Sequence, residues 1–400
     1  QKHGLMFIPS LRMNDVHKDY VDRWPSLRST WEKQRRQLLI GKQVPDWYTH
    51  PFSYSWAMDY AHPQVRDRKL TIITELCTRY DVDGFELDFL RSGLFFRKGH
   101  EPAGRDLMTD LIGRIRLMLD DLGRKRKKPL RLVVRVPTSV AQCQEQGLDV
   151  PRWIRDGLVD MVVPMDSGYL DMTAPVEQFV ALAKGTRCKV AGGLEYYIRG
   201  YIKPKQQGIT QASLERLRAA AASFWNRGVD AIYLFNYDCH GPFPFRGPKR
   251  QALNEIHDPA RLAGTDQHYF VTREMSQKTP VGTGYKPLPA ELDQKGKPSR
   301  FTLHIGDDVP VEPSRQDPRR GRLIVRTSLS PKVDATLKFV VNGKRIEPTL
   351  RKGTVFFFDQ PPMHRGTCTL EIGFDPPRSV TVRIEEIEFL MQRDLPALSP

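Results

Sequence analysis

The sequence predicts an α/β protein: a (β/α)8 barrel of the TIM type followed by a small antiparallel β-sandwich. Three observations predict it. From residue 65 onward, stretches with a helical apolar period alternate with short, continuously apolar stretches, the pattern of βα units around a buried parallel sheet. Acidic and polar residues collect where those apolar stretches end, which is where a parallel barrel keeps its working groups. After Pro259 the chain turns to alternating, β-branched and aromatic segments, as half-buried antiparallel strands require.

The elements follow in order. Leu5–Pro9 reads as a strand, and a long connection runs through residues 10–64. Val65–Tyr80 places Ile72, Ile73, Leu76, Cys77 and Tyr80 on one helical face, and Asp83–Phe89 is the next strand. Arg105–Leu122 returns Leu107, Leu111, Ile115, Met118 and Leu122 at helical spacing before the β-rich Leu130–Val136. A short helix at Pro151–Gly157 leads to a strand at Val159–Met165, and a helix at Pro175–Lys184 leads to a strand at Lys189–Leu194. Thr210 reads as the N-cap of a helix ending near Gly228. A strand at Ala231–Phe235 and a helix at Pro248–His257 close the series.

That makes six parallel strands, where a closed barrel has eight. They are expected to be strands three to eight, with two βα units preceding Gln1. A strand hidden in Phe52–Tyr60, or an open doubly wound sheet, is the alternative. The expected division is a barrel over residues 1–263, a Pro-, Gly- and Lys-rich connector over 264–300 and the β-sandwich over 301–395. In the last, Asn342-Gly343 is the signature of a type I′ hairpin.

Composition narrows the function. The chain has 400 residues, 40% of them hydrophobic and 27% charged, which suits a globular protein. Apolar runs such as Leu5–Pro9 and Ala219–Ala222 fall far short of the roughly 20 residues of a membrane span. The five cysteines lack CxxC spacing, which argues against a zinc cluster or a disulfide framework. A net charge of +15 favours polyanionic partners, among them nucleic acid and acidic polysaccharide. No nucleic-acid module is recognisable, and the basic run Arg124–Lys128 reads first as a solvated loop. Nothing in the motifs asks for a cofactor.

The strongest chemical signal is DGFELDFLR, residues 83–91. Glu86 and Asp88 are two apart on a strand, so they face the same way. In a buried strand such carboxylates are costly unless paired or functional, and a salt bridge to Arg135 is the purely structural account. Asp166 ends VVPMD, Glu195 ends VAGGLE, and Asn236 and Asp238 end IYLFNYD. Glu195 is equally readable as a loop carboxylate in water. LRMNDVH brings Arg12, Asn14, Asp15 and His17 after the first strand, although Asn and Asp also make ordinary turns. Trp24, Trp31, Trp47, Tyr48, Tyr54, Trp56 and Tyr60 crowd the long loop, either as its own small core or as stacking surfaces for sugar rings. Tyr169, Tyr196, Tyr197 and Tyr201 lie beside later strand ends.

Two carboxyls with aromatic platforms are what cleavage of a glycosidic bond requires: one protonates the leaving oxygen, and the other attacks the anomeric carbon or activates water. Glu86 and Asp88, as neighbours, can perturb each other's ionisation. The candidates are Asp88 and Glu195 as the catalytic pair, supported by Glu86 and Asp166. Arg12, Asn14, His17, Trp56, Arg91, Arg135, Tyr169, Asn236 and Asp238 would bind substrate. Two other classes stay open: a glycan-binding protein without catalysis, and Mg²⁺ or Ca²⁺ chemistry on Glu86, Asp88 and Asp166.

Residues 61–91, AHPQVRDRKLTIITELCTRYDVDGFELDFLR, resemble the strand-four region of glycoside hydrolase-like barrels of bacterial secreted proteins, and LRMNDVH is similar to their strand-three motif. A looser similarity is to family 18 chitinases, whose strand four carries DG-x-D-x-D-x-E. Asp83, Gly84, Glu86 and Asp88 match it, whereas Leu90 stands where the proton-donating glutamate would be. The resemblance implies a secreted or periplasmic enzyme with a carbohydrate substrate, acidic or sulfated given the charge. By strand position it implies an acid at Asp88 or Glu86 and a nucleophile at Glu195. The departure at Leu90 argues against chitinase chemistry that uses the substrate's acetamido group.

Overall fold

The computed structural model describes residues 4–15, 29–46, 56–166, 169–198, 210–237, 245–272, 287–293, 296–329, 336–375 and 381–398. These fall into two compact units. The first holds the described residues of Gln1–Ser167 and Ala174–Ala191, and the second those of Gly168–Thr173, Gly192–Ser276 and Tyr285–Pro400.

The first unit is built on parallel strands β1 (Ser10–Arg12), β2 (Gly84–Asp88), β3 (Arg131–Val136), β4 (Met161–Pro164) and the start of β5 (Lys189–Glu195). They lie side by side in chain order. A doubly wound sheet reverses its order part-way, so this one-way row is the arrangement a barrel uses. Ring closure is not seen among the described residues. The register is Ser10 to Glu86 to Val133 to Met161, and two residues on Arg12 to Asp88 to Arg135 to Val163. Alternation therefore divides the sheet sharply. One face carries the buried Leu87, Val134 and Val162, and the other carries Glu86, Asp88 and Arg135.

Helices cover the apolar side. Pro63–Arg79 buries Val65, Ile73 and Cys77, and Glu101–Arg126 buries Met108, Leu111, Ile112, Ile115 and Leu119 at helical spacing. Both helices start earlier than expected, each on a proline-containing turn that supplies a ready-made first helical φ, and the second also runs past Leu122 to Arg126. At Gly84 an added Cβ would sit 2.4 Å from the Arg131 carbonyl oxygen. Glycine is thus what lets β2 and β3 close up at their start.

Several expectations are corrected. The first strand is Ser10–Arg12, not Leu5–Pro9. Leu5, Met6 and Phe7 are 73%, 66% and 59% exposed, so their hydrophobicity does not mark a core strand, although Phe7 and Pro9 accept backbone bonds from Asp83 and Glu86. The helix Val140–Glu145, closed by a Ser139–Gln142 capping box, was not foreseen.

The second unit takes in the end of β5 from Gly192 onward, and β8 (Ala231–Phe235) lies beside β5. Between them β6 (Tyr197–Ile198) and β7 (Thr210–Gln211) pair antiparallel. That pairing takes Thr210 away from the N-cap role expected of it. Ser213 caps the helix Leu214–Asn226 instead, its side chain accepting from Arg216 N.

Two antiparallel sheets complete this unit. One orders β10 (Ala290–Glu291), β18 (Arg383–Gln392), β12 (Arg320–Thr327), β16 (Val355–Asp359) and β15 (Leu350–Lys352), with β9 (Gln267–Phe270) also on β18. The other orders β11 (Ser299–Ile305), β17 (Gly366–Asp375), β13 (Thr336–Val341) and β14 (Lys344–Ile346). The expected connector at 264–300 therefore contributes strands β9 and β10. Phe339 of one sheet meets Phe356 and Phe358 of the other at ring-centroid distances of 5.3 and 4.8 Å. Asn342 and Gly343 both adopt positive φ, 49° and 79°, at the β13–β14 turn, as a type I′ hairpin demands.

Candidate functional site

In the first unit the carboxyl ends of β1, β2 and β3 bring polar side chains together. Asp88 is 2% exposed and Arg135 is wholly buried. Register places them side by side, and Arg135 Nη2 donates to Asp88 Oδ2 at 2.7 Å. The other carboxylate oxygen, Oδ1, accepts the Leu90 backbone N–H at 2.8 Å. Asp88 is thus held on both oxygens, with its orientation set by its own strand end and by the next strand. One residue pair earlier on the same face, Ser10 Oγ donates to Glu86 Oε1 at 2.6 Å. The salt bridge weighed from sequence exists, and it belongs to Asp88.

Arg12 is next to Asp88 in register but its side chain turns outward and pairs with Asp15 at 2.8 Å. Arg91 approaches the same carboxylate at 3.7 Å. Lys69 Nζ donates to the Arg12 carbonyl at 3.4 Å. Burial pushes the Lys69 ammonium down to about 8, against the pull of Glu32 and Asp15. Arg12, Arg91 and Lys69 therefore gather around Asp15 at the rim beside the buried carboxylates.

Other candidates have structural work. Asn14 donates to the Met58 and Leu94 carbonyls at 3.0 and 2.6 Å and accepts from Met58 N at 3.2 Å, so its amide ties the long loop to the strand end. Tyr60 is buried, donates to the Met13 carbonyl and packs edge-on to Phe95 at 5.6 Å. Trp31 and Trp56 sit under Arg35 and Arg36 at 5.0 and 5.1 Å. Of the described loop aromatics, Tyr60 is buried in the loop's packing, whereas Trp31 and Trp56 are half-buried. Asp166 is buried just beyond β4.

The second unit holds Glu195, 1% exposed at the end of β5, whose Oε1 accepts its neighbour Tyr196 N at 3.0 Å. It is buried, not the solvated loop carboxylate of the plain account. Tyr196 and Tyr237 meet edge-on at 5.4 Å, and Lys249 Nζ lies 4.3 Å from the Tyr196 ring, 5.2 Å from Tyr237 and 5.0 Å from Phe245. These rings enclose a cation of the chain itself and are not an open platform. Asn236, at φ 54°, directly follows β8, and Tyr169 is half-buried. His17, Asp238, Trp24, Trp47, Tyr48, Tyr54 and Tyr201 lie outside the described residues.

Sequence reasoning missed Ser10 and Lys69. Ser10 had a findable signal, since it stands two residues before Arg12 on the same face of a strand. Lys69 had none, because its helix meets the strand end only in three dimensions. Among the described residues no three His, Cys, Asp or Glu side chains converge as a metal site would require.

No protein-family model and no curated protein matches the chain. Solved structures similar to parts of it include chitinase ChiW of Paenibacillus sp. strain FPU-7, at 11% identity and a TM-score of 0.37 over 79% of this chain and 30% of that one. A cycloisomaltooligosaccharide glucanotransferase of Paenibacillus sp. overlaps at 10% identity and 0.29, over 95% and 45%. Chitinase ChiA74 of Bacillus thuringiensis overlaps at 11% identity and 0.35, over 80% and 77%. The chain thus spans less than half the length of the first two. None of these superpositions reaches a TM-score of 0.5, so none decides a fold or an activity.

Proposed function

We propose that the protein is a glycoside hydrolase acting on a polysaccharide or oligosaccharide through carboxylate catalysis, with Asp88 and Glu195 as the catalytic carboxyls and Glu86 and Asp166 in support. The observation that supports it is the buried polar face of β2. Two carboxylates and an arginine have been taken out of water at the carboxyl ends of parallel strands. Such burial is a poor way to gain stability, since apolar side chains of the same volume do as well or better. Chemistry is the reason to keep it. Glycosidic cleavage needs one carboxyl to protonate the leaving oxygen and a second to stabilise or attack the anomeric carbon. Asp88, oriented by Arg135 and Leu90, has the fixed geometry such a group needs. Glu195 enters on its burial at a strand end.

The direct test is release of reducing ends from a panel of neutral and sulfated polysaccharides by the intact protein. Asp88→Asn and Glu195→Gln are each expected to cut turnover by about 100-fold or more with the fold retained. Near-normal turnover in both variants contradicts the assignment.

A second reading is glycan binding without hydrolysis. Leu90, 1% exposed, supports it, since it fills the place of a proton-donating glutamate with a buried apolar side chain. Both Asp88 oxygens already accept bonds, which adds to it. Affinity for a glycan together with no reducing ends from any substrate favours this reading.

A further inference from the structure

The first unit has a cavity of about 350 Å³ at the amino-terminal edge of its parallel strands, the edge opposite Asp88. Arg131 opens β3, Asp160 precedes β4, and Arg187 precedes β5. The last turns of the helix Glu101–Arg126 bring Arg116, Asp120 and Arg124 to the same space. Four guanidinium groups therefore face two carboxylates, and Arg124 is also paired with Asp121 at 3.3 Å, so the local excess is positive but modest.

The pairing inside the cavity is uneven. Asp160 Oδ2 accepts from Arg116 Nη1 at 2.8 Å and from Leu132 N at 2.8 Å. Its other oxygen has Arg131 Nη1 at 3.7 Å and Arg187 Nε at 3.6 Å, both beyond hydrogen-bond reach. One carboxylate thus serves three arginines. Arg116 also reaches Asp120 at 2.8 Å, yet its buried Nε has no hydrogen-bond partner among the described residues. Arg131 and Arg187 are about half exposed, with side-chain values of 52% and 54%, and Arg187 Nη2 is anchored to the Gly157 carbonyl at 2.6 Å.

The basic run Arg124–Lys128 is sorted by the same geometry. Lys125 pairs with Asp121, Lys128 with Asp81 and Asp83, and Arg126 donates to the Tyr80 and Thr78 carbonyls. Only Arg124 of the five lines the cavity. A nucleic-acid backbone needs a stripe of cations, whereas these arginines converge on one space.

We infer that this cavity is a binding site for a tetrahedral oxyanion, the phosphate or sulfate monoester group of a small molecule or of a substituted sugar. Guanidinium forks match such groups bidentately, and the volume lies within the range of small-molecule pockets. The site is distinct from the carboxylate face and does not depend on the proposed hydrolysis.

The test is calorimetric titration of the intact protein at low ionic strength with inorganic phosphate, inorganic sulfate and acetate, followed by glucose 6-phosphate and glucose 6-sulfate. Phosphate or sulfate is expected to bind one-to-one and saturably, with a Kd of about 1 mM or tighter. The two sugar esters show which monoester the site prefers. Arg131→Gln combined with Arg187→Gln is expected to weaken binding at least tenfold, and Arg124→Gln, on a largely exposed side chain, to weaken it less. Lys98→Gln, a basic position away from the cavity, is expected to bind as the parent does. Melting temperatures verify that each variant is folded. Absence of saturation up to about 10 mM, equal affinity in the folded double variant, or acetate binding as tightly as phosphate would each overturn the inference.

Discussion

Asp88 has lost its water on both oxygens and regained a guanidinium and a backbone N–H. Removing the carboxylate leaves Arg135 without its 2.7 Å ion pair in a place water does not reach. Breaking a buried pair from one side costs about 3–5 kcal/mol. Asp88→Ala is therefore expected to lose roughly that much stability in denaturant unfolding, and a loss under about 1 kcal/mol, the worth of an exposed pair, would show the pair to be dispensable. At this scale the sequence was legible wherever a strand's alternation was enough. Glu86 and Asp88 had to share a face, and Arg135 was in reach from the next strand. Asn14 was not legible, because its three bonds go to Met58 and Leu94, 44 and 80 residues away. Composition shows a polar group and not what it will touch.

The elements depend on contacts of the same distant kind. Gly84 looked like part of a motif, but its physical role is the approach of β2 to the Arg131 carbonyl. Gly84→Ala must push two backbones apart, and overpacking of this sort costs about 1–3 kcal/mol. A lowered melting temperature is expected, and an unchanged one would mean that the strands open easily at that end. The parallel strands and their long helices were readable from periodicity, because each buries one continuous apolar face. Short elements were not. Thr210 and Ser213 are both good capping residues, and the choice between them was made by a two-residue strand pairing with Tyr197–Ile198. The segment Gln267–Phe270 was hidden in a polar connector because its strand character comes from pairing with β18. Leu5–Phe7 misled in the other direction, being apolar and yet exposed.

For the molecule as a whole, pH reports on the charges that folding has arranged. Glu388 of β18 is mostly buried, which alone would raise its carboxyl. His268 Nε2 at 2.8 Å and Arg216 Nη2 at 3.0 Å overcome that and hold it below the ordinary 4.5. A carboxyl lowered by folding contributes stability that is present above its unfolded value and is lost as pH falls through its folded one. The protein is therefore expected to lose stability as pH drops below about 4.5, and Glu388→Gln, weaker at neutral pH, to lose less over that range. Parallel profiles for the two proteins would remove Glu388 from the account. Charge serves function as well as folding. The sequence showed a surplus of +15, and the structure places part of it in the arginine-lined cavity. The central claim remains the carboxylate chemistry, and the measurement that tests it most directly is reducing-end release by the parent protein beside folded Asp88→Asn and Glu195→Gln. The account predicts turnover on at least one polysaccharide, with a loss of about two orders of magnitude or more in each variant. Near-normal turnover in both folded variants, or none in the parent on any glycan it binds, would contradict it.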